Sequence, residues 1–276
     1  MMRSLWTAAS GMRAQQVNVD TIANNVANIN TIGYKSQQAS FKSLLYQNLQ
    51  STSTNNAGEN KPVAAEVGLG SRVAAITSTF TQGNLTHVEN PFSVALEGDG
   101  FFRIRTESGE LQYTRDGSFE ISPVANGNML CTSDGNPVLD VYGNAIVLPS
   151  NRVATDLVVN QDGTLAFPDG TGNPAVITDA NGRPVKFGIY QFNNPAGLSK
   201  EGSNNYSVTA ASGAAVAENG NAAVKQTKTH QYYTEASNVD VANEMVNLIV
   251  AQRAYEMNSK AIQASDEMMQ QANALR

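Results

Sequence analysis

Cys131 is the one thiol of the chain, and paired with His87 or His230 it would make a nucleophile and its base. It lies in NGNMLCTSDG, however, which reads as one strand of a hairpin, where cysteine serves as a small core residue. A single cysteine closes no internal disulfide, and two histidines build no His-rich metal site by themselves. The carboxylates Glu107 and Glu110, or Glu97 and Asp99, are spaced for acid–base work but flank turns, where water solvates them. No G-x-x-x-x-G-K and no H-E-x-x-H occurs, and Gly68 and Gly70 lack the third glycine of a dinucleotide loop because position 73 is Val. Trp6 and Tyr255 could stack a ligand, yet Tyr255 falls at heptad spacing and Trp6 sits beside Leu5 at a helix start. Arg103, Arg105 and Arg115 could hold an anion, but alternating arginines mark the solvent face of a strand. The reading is of no catalytic, cofactor-binding or metal residues, with a cell-wall hydrolase as the minority enzyme hypothesis.

The 276 residues are 41% hydrophobic and only 15% charged, so neutral amides and hydroxyls do much of the solubilising. A net charge of -6 supplies no basic face for a nucleic acid. The opening MMRSLWTAASGMRAQQ has no apolar core of signal-peptide length, and no run anywhere spans a bilayer, so membrane insertion is not expected.

The elements that carry these residues divide by period. Leu5, Met12, Val19 and Val26 stand seven apart, with Ala8, Gln15, Ile22 and Ile29 three residues after each, an a/d seam over four heptads. Toward the other end Val241, Leu248, Tyr255, Ile262 and Met269 repeat the interval, with Ser237, Asn238 or Asp240 placed to cap and Glu244 at the positive end of the helix dipole. That second seam is partly polar, at Gln252, Ser259 and Asp266. Between the ends, short alternating runs such as GFFRIRT are punctuated by Asp99-Gly100, Asp116-Gly117, Asp134-Gly135, Asp162-Gly163 and similar dipeptides, the signature of tight antiparallel hairpins. In GFFRIRT, Phe102 and Ile104 face one way and Arg103 and Arg105 the other.

The expected fold is α+β: a central antiparallel all-β domain with long N- and C-terminal α-helices pairing as a coiled coil. Residues 1–45 form the N-terminal helix, 46–91 an extended connector, 92–209 the β domain, 210–236 a return connector and 237–276 the C-terminal helix. Polar STSTNNAGENKP and small-residue TAASGAAVAENGNAA supply flexible composition on either side of the β domain. Arg3, Arg13, Lys35 and Lys42 against Asp20 leave the first segment cationic, whereas Asp240, Glu244, Glu256, Asp266 and Glu267 outnumber Arg253, Lys260 and Arg276 in the last. Opposite signs favour their pairing weakly.

ANNVANINTIGYK carries four asparagines, Asn24, Asn25, Asn28 and Asn30, although asparagine is a poor interior helix former. No charge lies between Asp20 and Lys35. Neutral amides pair across an interface without the cost of burying an ion, so these helices are expected to be surrounded by others in a multi-copy assembly. A lone pair would be marginal against its ordering entropy.

SGMRAQQVNVDTIANNVANINTIGYK, GLGSRVAAITSTFTQGNL, ENPFSVALEGDGFF, YTRDGSF and SNVDVANEMVNLIVAQRAYEMNSKAI resemble, in this order, the rod and hook proteins of the bacterial flagellum, with most likeness to the distal-rod branch. The resemblance implies an axial structural protein, exported without a cleaved signal by the flagellar type III apparatus and polymerising into a hollow helical tube across the periplasm. It implies further copies of the chain, proximal rod and hook-side axial proteins, and a surrounding ring acting as bushing, as partners. It places the terminal helices in an inner coiled-coil layer and the β domain outside. Asn24, Asn25, Asn28, Gly33 and Tyr34 match the N-terminal motif; Ser237, Asn238, Val239, Glu244, Met245, Gln252, Arg253, Ala254, Tyr255 and Lys260 match the C-terminal one. Leu44 to Gly70 resembles the insert that distinguishes the distal rod, lying along the subunit surface and stiffening contacts between neighbours. The sequence departs from the family at Val88-Glu89, usually Thr-Gly, and at Ser93, usually Asp. Proximal rod or hook protein is the alternative within the family, although a hook protein usually carries a larger outer domain.

Overall fold

A computed structural model describes residues 2–50, 65–124, 127–150, 152–169, 173–179, 182–220 and 224–274. The polar stretch 51–62 of the expected connector, and residues 221–223 within the return connector, lie outside the described residues, as do Asn126, Gly170 and Asn181 of the further turn dipeptides Asn126-Gly127, Asp169-Gly170 and Asn181-Gly182. The architecture is α+β, with a helix toward each end around a central antiparallel β region. The chain forms two compact units: 1–27, 37–78 and 240–276 make one, and 28–36 with 79–239 the other.

In the first unit, α1 (Met2–Ala27) and α2 (Val241–Ala274) pack against each other. They run antiparallel: Ser4 Oγ lies 3.3 Å from Ser265 Oγ, Gly11 lies against Asn258, and Asn25 reaches Glu244. Each heptad forward on α1 is thus matched by one backward on α2. Asp240 caps α2, its Oδ1 accepting the Ala242 N–H at 3.0 Å. The N-terminal helix ends at Ala27, well short of residue 45, because Asn28 and Thr31 close a turn and the chain becomes extended at Gln37. There β1 (Gln37–Ser43) and β2 (Tyr46–Gln50) continue outward and return as β3 (Ala65–Gly68) and β4 (Ser71–Ser78) in two short antiparallel ladders. The β1/β4 ribbon packs on α1, where Ser10 Oγ accepts the Ser71 N–H. Of the expected connector 46–91, the described residues 46–50 and 65–78 fall in the helical unit and 79–91 in the other; 37–43, expected to be helical, form strand in the helical unit.

The second unit is organised by β6 (Val94–Glu97), β7 (Phe101–Arg105) and β8 (Leu111–Thr114), which follow the short β5 (Leu85–His87). The strands β7 and β8 sit at the middle of a six-stranded antiparallel sheet completed by residues 189–191, 199–202, 205–207 and 216–217. Successive side chains on a strand face opposite ways, and in β7 both directions are used. Phe102 and Ile104, both 0% exposed, join Leu96, Phe119, Leu130 and Phe187 in one core, while Phe101 joins Tyr113, Tyr190, Phe192 and Tyr206 in a second. This corrects the arginine reading: Arg103 lies over the Tyr190 ring at 4.6 Å, and its Nη2 donates to the Asp140 carbonyl, so that face is a second aromatic core rather than open solvent. Turn chemistry follows expectation at Asp162-Gly163, where Asp162 Oδ1 accepts the Thr164 N–H at 3.1 Å and Gly163 takes φ +81°. Before Phe92, Asn90 Oδ1 accepts the Phe92 N–H and stabilises the turn at the point where the sequence departs from its family pattern.

Candidate functional site

The expected helix residues divide into covered and uncovered sets. On α1, Ile22 and Asn25 are buried and Leu5, Met12, Val19 and Val26 half-buried, whereas Asn24 is exposed. Asn28 and Ile29, half-buried, lie just past the helix. On α2, Leu248, Ile262 and Met269 are half-buried against α1, while Val241, Met245, Gln252, Arg253 and Tyr255 are exposed. The second row of the α2 seam is Glu244, Ala251, Asn258 and Ser265, four positions at heptad spacing that hold only one apolar residue. Small and neutral side chains let the two helix backbones approach, which is why that row was not visible as an apolar stripe.

Among polar neighbours, α2 leaves several large apolar side chains uncovered. Met245 is 55% exposed, Val246 59%, Ile249 56%, Val250 61% and Met257 66%. Trp6 at the start of α1 is 74% exposed and lines a hollow with Ala9, Arg13, Val17 and Val73; Trp6 and Tyr255 make no ring contact among the described residues. A run of large apolar side chains at this exposure marks a surface that associates.

Asn25 has a role inside the subunit. Its Nδ2 donates to the Gln37 carbonyl at 2.8 Å and to Glu244 Oε1 at 3.0 Å, and its Oδ1 accepts the Gln37 N–H at 2.8 Å. The amide behaves as a one-residue strand, binding both backbone groups of Gln37 as a neighbouring strand would. For this asparagine the expected partner in another copy is replaced by an internal one. Asn238 does the same in the second unit: its Oδ1 accepts the Ser36 N–H at 2.7 Å, and its Nδ2 donates to the Thr79 carbonyl at 2.9 Å and to Thr81 Oγ1.

Gly33 and Tyr34 are buried in the second unit beside a charged cluster that no sequence spacing had indicated. Lys35 Nζ lies 2.6 Å from Glu235 Oε1, and Arg115 Nη1 lies 3.1 Å from Glu235 Oε2. All three side chains are at most 1% exposed. Lys35 also donates to the Thr81 carbonyl at 2.8 Å, Arg115 to the Gly98 carbonyl, and the Gly83 N–H to Glu235 Oε1 at 2.9 Å. Arg115, assigned to a solvent face by its type, is instead among the largest fully buried side chains. Burial lowers the Lys35 pKa, and the neighbouring Arg115 charge adds to this, against the opposing pull of Glu235. Gly33 takes φ +70° and would place a Cβ 2.9 Å from the Asp116 nitrogen, so no other residue fits there without moving backbone.

The residues considered for catalysis are not assembled into a site. Cys131 is buried at the end of the strand Gly127–Cys131, as expected, and burial with the nearby Glu120 carboxylate pushes its thiol pKa up, away from the reactive thiolate. Glu107 and Glu110 are exposed on a turn, and Glu97 pairs with His230 Nε2 at 2.7 Å on the surface. Among the described residues no group of three metal-ligating side chains occurs, and no helix is long and apolar enough to cross a membrane.

Three family descriptions match successive parts of the chain: "Flagella basal body rod protein" over residues 5–35, "Flagellar hook protein FlgE/F/G D1 domain" over 95–167, and "Flagellar basal body rod FlgEFG protein C-terminal" over 230–275. The chain is 43% identical to the flagellar basal-body rod protein FlgG of Borreliella burgdorferi, across 100% of this chain and 99% of the relative. It is 40% identical to the FlgG protein of Agrobacterium fabrum, over 97% of each, and 35% identical to that of Bacillus subtilis, over 98% of each.

Proposed function

Because the chain belongs to the family of flagellar basal-body rod and hook proteins, and is a structural component of the distal rod that assembles with other axial proteins of the basal body, we propose that it works as a helical homopolymer held together by α1 and α2. The tube so formed transmits torque to the hook and encloses part of the export channel, with the helices as the inner layer and the β domain outside. In this reading the two helices contribute the inner layer and the β region at 92–209 forms the outer domain. A periplasmic and outer-membrane ring serves as bushing, and the chain has no catalytic role.

The observation that carries the reading is the exposed stripe of Met245, Val246, Ile249, Val250 and Met257 on α2. Each such side chain gains on the order of 1.5–3 kcal/mol when fully buried, so covering the stripe is a sufficient drive for association. Tyr255, 43% exposed, lies on the side of α2 that faces α1, in a hollow with Gln16 and Val19, where a charge would disturb the helix pair that presents the stripe. Tyr255→Asp should abolish polymers in sedimentation while leaving the near-ultraviolet circular dichroism of the β domain unchanged. Polymers of normal length from the variant would remove α2 from the interface.

A further inference from the structure

The chain enters the second unit through 28–36 and leaves it through 231–239, and these two passages meet by few backbone bonds. Tyr233–Glu235 pairs with β5 over three residues only, after a corner at Tyr232, whose φ of +65° is unusual for a bulky side chain. The Gly33 N–H donates to the Glu235 carbonyl at 2.8 Å and the Ser36 N–H to Asn238 Oδ1. The outbound strand is held to β5 and its flanks, with the Ala236 N–H donating to the Asn84 carbonyl and the Val88 N–H to the Tyr232 carbonyl. The Gly33 and Ser36 bonds, however, set the mutual register of the inbound and outbound passages weakly, and a slip of one residue would turn the Glu235 side chain to the opposite face.

We propose that Lys35, Arg115 and Glu235 form a positioning clasp that fixes the register of the inbound and outbound passages, contributing specificity of pairing rather than net stability. Glu235 sits on the outbound passage and Lys35 on the inbound one, while the backbone groups they hold, the Thr81 carbonyl and the Gly83 N–H, lie on a third stretch of chain. Arg115 brings in a fourth at the Gly98 carbonyl. Only one register gives Glu235 its two cations and its backbone donor together; any other leaves two cations buried without their carboxylate.

Two observations separate specificity from stability. Lys35 is held with a lowered pKa by its burial and by the Arg115 charge on the far side of Glu235, so the ammonium sits in a site that does not favour its charge although its carboxylate is 2.6 Å away. The Arg115 Nε is also buried without a hydrogen-bond partner, a group left unsatisfied by the geometry that serves the other contacts. Both are what a cluster retained for geometry would show, since a well-packed apolar replacement would avoid both costs. Because residues 28 and 239 bound the second unit in the chain, the same register sets where the chain enters and leaves it, and only the bearing of this on polymerisation rests on the assembly reading.

The test compares two variants of the full chain with the wild type, all as monomers. Glu235→Gln strands two buried cations and should lower the unfolding midpoint by roughly 10 °C. The triple variant Lys35→Met, Arg115→Met, Glu235→Leu should unfold within a few degrees of wild type, yet exchange the Gly33 and Ser36 amides at least about tenfold faster while the β7 and β8 amides stay protected. Two results would overturn the clasp: a triple variant that protects Gly33 and Ser36 as the wild type does, or one that fails to fold or loses as much stability as Glu235→Gln. Polymerisation is scored separately by sedimentation. A wild-type chain that never polymerises counts against the assembly reading alone, because the exchange comparison is made on monomers.

Discussion

The two units solve the problem of burial differently. In the β unit, Phe102, Ile104, Phe119 and Leu139 are wholly removed from water, and aromatic rings pack edge to face around Phe101 and Phe102. In the helical unit, α2 runs 34 residues and buries only Ala251 and Ser265, while Met245, Val246, Ile249, Val250 and Met257 stay exposed. A β sheet with both faces covered completes its core within one chain. A helix pair has one seam, and here Glu244, Asn258 and Ser265 put a carboxylate, an amide and a hydroxyl into the α2 side of it. The contrast shows that a subunit can carry a self-sufficient domain and an unfinished one, with the unfinished part available for assembly.

Four measurements would break or sharpen this contrast. The largest stability effect is expected from Phe102→Ala, which removes a fully buried ring against Phe119 and Phe187 and should cost about 3–5 kcal/mol in the thermal unfolding of the β unit. A loss under 1 kcal/mol would mean that the β core is not the stable half. Next comes Asn25→Ala. It leaves both backbone groups of Gln37 without the amide that binds them, and should cost about 1–3 kcal/mol. That loss should be confined to the helical unit and read as faster exchange of the Gln37 amide with the β unit unchanged.

A smaller effect depends on pH. Lys35 is depressed in the folded state from its ordinary 10.5, so its penalty is full below the lowered pKa and vanishes as pH rises past 10.5. Stability therefore rises with alkalinity through that window. Tyr206, pushed up from its ordinary 10.0 to about 12 by burial, makes stability fall between those two values, so its window opens where that of Lys35 closes. The Lys35 effect must accordingly be read as the difference between wild type and Lys35→Met, and a difference that falls with pH would reverse the sign argued here. Smallest is Val250→Ser at an exposed position, which should alter monomer unfolding by no more than about 0.5 kcal/mol. Its expected effect is instead on sedimentation, and a large loss of monomer stability would show that the α2 stripe is already covered.

Much of this protein is written in local pattern. The heptads at Leu5, Met12, Val19 and at Leu248, Ile262, Met269 determine two amphipathic helices, because a period near 3.6 sets one face regardless of what covers it. The alternation of Phe102 and Ile104, and the Asp-Gly turns, determine hairpins by the same local logic. Tertiary structure alone decided the rest. Lys35 and Glu235 are 200 residues apart and Arg115 lies between them, so no spacing connects them, and charge at each position reads as surface until the fold buries it. The outward face of β7 became a second core only when Tyr113 and Tyr190 arrived from neighbouring strands. Asn25 acquired its meaning when Gln37 came alongside. Periodicity belongs to consecutive residues and is legible in them, whereas burial and pairing depend on distant segments that only the folded chain brings together.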